Sequence, residues 1–163
     1  MVTVLLLAGG RSRRMGTDKA LMRGGVERLR QVAIQCQADR IVTLCGAKER
    51  ESMFQGEVWA DPLSCTTLSE VIEWALSLIG DSVQFISCDA FNLEKEGLQQ
   101  LISSGGGVPI DEAGNRQPLL ANCPKDWSVG KSDGAVSSLF QELESLDFGP
   151  LSCQMKNFNS PED

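Results

Sequence analysis

Leu5-Leu6-Leu7-Ala8-Gly9-Gly10-Arg11-Ser12-Arg13-Arg14-Met15-Gly16-Thr17-Asp18-Lys19 is the stretch on which the reading of this 163-residue chain turns. A strand-like apolar run, Val2 to Ala8, breaks into paired glycines, three arginines, a further glycine and a lysine. Adjacent glycines let the backbone turn sharply and leave its N–H groups uncovered by any Cβ. Arg11, Arg13, Arg14 and Lys19 gather positive charge in a chain whose formal net charge is -7. A basic, glycine-rich turn at the carboxyl end of a strand is where an α/β protein holds phosphates. The bland alternative is a strand followed by a solvated basic loop.

Working outward, strand-like runs alternate with helix-like ones, which predicts a mostly parallel sheet with covering helices. Val2 to Ala8 reads as a central strand buried on both faces. Leu29, Val32, Ala33 and Cys36 recur at helical spacing. Arg40 to Leu44 and Glu57 to Ala60 read as strands, the latter ending at Asp61-Pro62. Leu68, Val71, Ile72, Ala75, Leu76 and Ile79 form one apolar stripe behind Thr67-x-x-Glu70, a capping box. Val83 to Ser87 is the next strand, and Asn92 is placed to cap a helix carrying Leu98, Leu101 and Ile102. Further strands are expected near Val108 to Ile110, over Gln117 to Asn122 and over Leu151 to Lys156. Val136, Leu139, Phe140 and Leu143 give a last helical stripe between the second and third of these. No repeat or linker interrupts the pattern, so residues 1–163 are expected to form one domain.

Composition excludes several functions. The sequence pI of about 4.7 argues against general nucleic-acid binding, which draws its affinity from neutralising phosphates. No run of 18 apolar residues is present, and Met1 to Ala8 is too short for a signal peptide, so neither a membrane partner nor export is expected. A cytoplasmic protein follows. Its six cysteines include no Cys-x-x-Cys pair and are expected to be reduced thiols. The chain has no histidine, which rules out Ser-His and Cys-His catalysis. Chemistry must therefore run on carboxylates, lysine, arginine, thiols or a metal ion.

Asp89 follows the strand Val83 to Ser87 and should emerge at the same sheet edge as Gly9 and Gly10, if the two strands are parallel. Such a carboxylate suits Mg²⁺, which takes one or two carboxylates plus substrate phosphates. Equally, an aspartate there can cap the next turn. Asp61, before Pro62, offers a second carboxylate or an ordinary Asp-Pro turn.

Neither common phosphate loop fits the opening stretch. Gly16 is followed by Thr17-Asp18-Lys19 rather than Lys-Ser/Thr, and Gly9 and Gly10 are adjacent rather than spaced as Gly-x-Gly. Leu-Ala-Gly-Gly-x-Ser-x-Arg-Met-Gly-x-Asp-Lys, residues 7 to 19, resembles the signature of the nucleoside-triphosphate transferases. Most closely it is similar to the molybdenum cofactor guanylyltransferases. The resemblance implies a Rossmann-like three-layer α/β/α nucleotidyltransferase fold with a mostly parallel mixed sheet. It also implies transfer of GMP from GTP to the phosphate of molybdopterin, with release of pyrophosphate.

The likeness extends to Cys88-Asp89-Ala90-Phe91, similar to the family's Cys-Asp metal motif, to Arg116-Gln117-Pro118-Leu119-Leu120-Ala121, and to the tail Asn157-Phe158-Asn159-Ser160-Pro161-Glu162-Asp163. On this basis Lys19, Arg14 and Asp89 are the implied catalytic residues, with Asp89 as the Mg²⁺ ligand. Leu7, Ala8, Gly9, Gly10, Lys19 and Asp61 are implied to bind the nucleotide. Asn157 and Asn159 are implied to hold the pterin, whose mixed edges suit amides that donate and accept. Ser160 and Pro161 read equally well as a helix start. The implied partners are GTP and molybdopterin, with transient contacts to other cofactor-biosynthesis proteins, and no nucleic acid or membrane.

The sequence departs from the family pattern at Pro62-Leu63-Ser64-Cys65-Thr66-Thr67, in place of Gly-Pro-Leu-x-Gly, and over residues 24–31, which lack a Gly-x-Pro-Leu turn. Two other readings stay open beside the leading one. The first is a nucleotidyltransferase of the same fold with a cytidylyl or sugar-phosphate acceptor. The second is a nucleotide-binding relative that no longer catalyses.

Overall fold

The computed structural model describes residues 1–9, 19–129 and 134–158. Strands β1 (Val2–Leu7), β2 (Arg40–Gly46), β3 (Glu57–Ala60), β4 (Ser82–Ser87) and β6 (Asn122–Cys123) form a sheet in the order β3-β2-β1-β4-β6. All its neighbours are parallel except β4 and β6. A separate parallel pair joins β5 (Val108–Pro109) to β7 (Ser145–Leu146). This is a mixed α/β fold with a mostly parallel central sheet, as the sequence pattern predicts.

The central position of β1 explains its unbroken apolar character. Side chains alternate across a strand, so Val4, Leu6 and Ala8 pack on one face and Leu5 and Leu7 on the other. The first face is covered by α1 (Gly25–Gln35) through Val26, Leu29, Val32 and Ala33, and by α3 (Lys95–Ser103) through Leu98 and Leu101. The second is covered by α2 (Leu68–Leu78) through Val71, Ile72 and Ala75, and by Leu139 and Phe140 at α4 (Val136–Leu139). Three layers result. Full burial of each such side chain stabilises the fold by roughly 1.5–3 kcal/mol.

The start of α2 is capped as its sequence predicts, with one shift. The Thr67 hydroxyl accepts from the Glu70 N–H at 3.2 Å. The Glu70 carboxylate reaches back to Thr66 rather than Thr67, accepting from its N–H and hydroxyl, each at 3.1 Å. Both threonines are therefore tied to the helix entry.

Three expected elements differ. Gln117 to Asn122 is not a strand: Pro118–Leu120 forms a 3-10 turn, and strand geometry begins only at Asn122. Leu151 to Lys156 is likewise 3-10 helix, spanning Gly149–Met155. Its apparent alternation loses to Pro150 near the helix start and to the burial of Ser152 and Met155, three residues apart, which matches the 3-10 repeat. Asn92 does not cap α3, whose cap position is Glu94. The Asn92 amide instead donates to the Cys153 carbonyl at 3.2 Å.

None of the six cysteines is in a disulfide, and burial pushes the Cys123 thiol up to about 12. Among the described residues, no helix is long and apolar enough to cross a membrane.

Candidate active site

Parallel pairing brings the carboxyl ends of β1, β2, β3 and β4 to one edge. Leu7 lies opposite both Leu44 and Ser87. The Ala8 N–H donates to the Leu44 carbonyl at 2.9 Å, and the Cys88 N–H to that of Leu7 at 3.1 Å. Gly9 and Asp89 thus leave neighbouring strands side by side, as expected from sequence.

Gly9 has a steric reason to be glycine. A Cβ there would stand 2.7 Å from the backbone Cα and N of Gly46, closer than real Cβ contacts come. Gly46 itself sits at an irregularity in the β2–β3 ladder with a φ of 82°, in the region that favours glycine. The turn after β1 therefore lies directly on the backbone that ends β2.

Beside this contact opens a cleft of about 750 Å³, whose lining includes Leu7, Gly9, Gly46, Arg50, Asp61 and Thr67. Arg50 is a residue that sequence reading passes over, because Lys48-Glu49-Arg50-Glu51 looks like a solvated charged run. Its guanidinium donates to the Cys45 carbonyl and to the Ala8 carbonyl, both at 2.8 Å. One cation therefore joins the exits of β1 and β2. The Asp61 N–H donates to the Gly46 carbonyl at 2.8 Å, which sets that residue at the cleft rim. Among the described residues its carboxylate has no hydrogen-bond or ion-pair partner, and burial raises its pKa above the ordinary carboxylate value.

Asp89 is held differently. Only 8% exposed, it accepts a hydrogen bond from the Ser87 hydroxyl at 2.5 Å. The turn behind it is clamped by Arg28 of α1, which donates to the carbonyls of Leu93, Ala90 and Phe91 at 2.7, 3.1 and 3.2 Å. Arg28 is a second residue invisible to sequence reading, since an arginine on an amphipathic helix reads as part of its wet face.

The Phe158 N–H donates to the Asp89 carbonyl at 3.2 Å, so the tail returns to the same edge. Next to it, the Asn157 side-chain oxygen is buried without a hydrogen-bond partner. Phe158 packs on Phe91 with ring centroids 5.3 Å apart. Of the other residues implied by sequence, Lys19 opens a 3-10 segment, Lys19–Gly24, that leads into α1. Gly10, Arg14 and Asn159 lie outside the described residues. Leu7, Ala8, Gly9, Asp61, Asp89 and Asn157 are gathered at or next to one sheet edge.

Residues 4–143 match the MobA-like NTP transferase domain. The chain belongs to this family. The MobA-like fold is supported by solved structures of low identity. A protein named molybdopterin-guanine dinucleotide biosynthesis protein A, from Archaeoglobus fulgidus, is 18% identical with a TM-score of 0.69, over 98% of this chain and 93% of that one. A nucleotidyl transferase from Methanothermobacter is 15% identical with a TM-score of 0.72, over 100% and 94%. A 4-diphosphocytidyl-2C-methyl-D-erythritol synthase from Anaerococcus prevotii is 11% identical with a TM-score of 0.59, over 99% and 93%. No curated protein matches the chain by sequence. The protein is a nucleotidyltransferase of the MobA-like family.

Proposed function

We propose that this nucleotidyltransferase moves GMP from GTP to the phosphate of molybdopterin. The carrying observation is the gathering of Gly9, Asp61 and Asp89 at one sheet edge in a MobA-like chain, with an unpaired Asn157 acceptor at the adjoining tail. In the reaction an oxygen of the acceptor phosphate bonds to the α-phosphorus of GTP. The bond from that phosphorus to the β-phosphate oxygen breaks, and pyrophosphate leaves with the electron pair. An anionic nucleophile needs no general base, which suits a chain without histidine. Catalysis then rests on orientation and charge neutralisation.

In this reading Leu7, Ala8, Gly9 and Gly10 bind the nucleotide at the end of β1, and Asp61 meets it from the cleft rim. Arg50 keeps the first turn in register with β2. Lys19 and Arg14 neutralise phosphate charge, and Asn157 and Asn159 face the pterin. Among the described residues no group of three or more histidine, cysteine or acidic side chains is placed to hold a metal ion. The nearly enclosed carboxylate of Asp89 would suit Mg²⁺, an ion that takes one or two carboxylates together with substrate phosphates. Held there, the ion would help neutralise charge at the phosphates. A cytoplasmic location completes this reading.

The test is a calorimetric panel of GTP, CTP, ATP and UTP, with and without Mg²⁺. GTP should bind at least about tenfold tighter than CTP, because a donor–acceptor mismatch leaves buried polar groups unpaired. The likeness to a diphosphocytidyl synthase makes cytidylyl transfer the second reading, and preferential CTP binding would install it.

A further inference from the structure

Two cations converge on one aromatic ring next to Asp89, and the reading above leaves them unused. The Arg23 guanidinium lies 5.0 Å from the ring centre of Phe91 and 5.2 Å from that of Phe158. The Lys156 ammonium lies 4.7 Å from the same Phe158 centre. Three separate segments meet here: the stretch after Lys19, the loop after Asp89, and the tail.

Neither cation has a carboxylate partner among the described residues, although the chain carries 22 acidic residues against 15 basic ones. Arg23 also holds a left-handed backbone, φ 48° and ψ 50°, which is unfavourable for any residue with a Cβ. The rings are buried, Phe91 at 9% and Phe158 at 6% exposure, whereas the Arg23 side chain stands in an exposed residue. The guanidinium thus lies against an aromatic platform while its N–H edge stays available. Two cations on the same short stretch of surface without a carboxylate favour an entering anion.

We propose that Arg23 and Lys156, on the Phe91–Phe158 platform, form a phosphate subsite for the acceptor substrate, separate from the groups that bind the nucleotide. This rests on the reading that the acceptor carries a phosphate. It adds the residues that draw that phosphate to the Asp89 edge, where the tail is already bonded to the Asp89 carbonyl. Arg23 can give a phosphate two parallel hydrogen bonds, and Lys156 acts as a point charge.

The experiment uses the whole chain with ¹⁵N-labelled arginine and lysine, titrated with inorganic phosphate by NMR, alone and after saturation with GTP. A saturable shift of the Arg23 side-chain signal is expected, with the same affinity in both conditions. Arg23→Gln and Lys156→Gln should each weaken phosphate binding about tenfold while leaving GTP affinity within about twofold. They lie on separate segments, so one variant still decides the matter if the other fails to fold. Phosphate displaced by GTP, or GTP affinity falling in parallel, would assign the cations to the triphosphate and overturn the proposal. A non-saturating shift, matched by chloride at equal ionic strength, would overturn it as well. Because one arm contains no nucleotide, a wrong guanine assignment in the panel above leaves this result readable.

Discussion

The two aspartates at the sheet edge carry the same group and are treated in opposite ways. Asp89 is nearly enclosed, takes a hydrogen bond from Ser87, and stands on a turn that Arg28 grips by three carbonyls. Asp61 stands at the rim of the cleft, its carboxylate without a partner among the described residues, and burial disfavours its charge. A carboxylate fixed from several sides has a set position before any ligand arrives. One left bare keeps its hydrogen-bonding capacity for something that enters. On the proposed reading the first is the preorganised metal ligand, and the second makes its bonds only with nucleotide present.

The largest effect should come from loosening the gripped side. Arg28→Met keeps much of the aliphatic packing but removes the donors to three carbonyls. Hydrogen bonds involving a charged partner contribute about 1.5–3 kcal/mol, and the exposed Glu94 at 3.6 Å adds little. A loss of about 2–3 kcal/mol in denaturant unfolding is expected. Unchanged stability would mean that the loop over residues 90–93 holds itself.

Next in size is Asp89→Asn. The amide oxygen can still accept from Ser87, so the fold should survive. It cannot supply the charge a divalent ion requires, and Mg²⁺-dependent turnover should fall by about tenfold or more. GTP binding without metal should persist. A variant with wild-type turnover at saturating Mg²⁺ would make Asp89 a turn residue only, and the contrast with Asp61 would lose its functional meaning.

Gly9→Ala probes the ground between the two. Its Cβ would meet backbone atoms of Gly46, which cannot move aside as a flexible side-chain end could. Overpacking of this kind costs about 1–3 kcal/mol. It should also weaken nucleotide binding by displacing the first turn from β2. Comparing melting temperature with GTP affinity in this variant separates a packing role from a ligand-facing one.

The sequence was most legible where one residue pattern had a single physical solution. The run into Leu7 had to be a central strand because its alternate side chains both need apolar cover, and Thr67 and Glu70 mark a helix start by their own hydrogen bonding. Asp89 could be put at the edge because it follows β4 directly. Arg28 and Arg50 could not be found, since their partners are backbone carbonyls 62 to 65 and 42 residues away (Arg50 also bonds the nearby Cys45), and a carbonyl carries no residue identity. The two misread strands failed for a local reason. Pro118 and Pro150 start 3-10 turns whose repeat of three can pass for alternation in so short a run.

The smallest effect, and the one with an unusual sign, belongs to Asp61→Asn. Burial raises the folded-state pKa of Asp61 above its ordinary value of 3.8. As pH rises through the interval between the unfolded and folded values, the unfolded chain gives up this proton first. The folded state binds more protons there, so stability falls with rising pH, and the penalty is fully present above the folded pKa. At pH 7 the asparagine variant, which carries no charge to desolvate, should therefore melt slightly higher than the parent, on the order of a degree. The gain should vanish below about pH 4, where Asp61 is protonated in both states. Nucleotide affinity should move the other way, weakening about tenfold if the carboxylate accepts hydrogen bonds from the ligand. A variant more stable alone yet weaker in binding GTP is what a carboxylate reserved for ligand produces. If the substitution instead lowers the melting temperature at pH 7, Asp61 has a structural partner, and the two aspartates are alike after all.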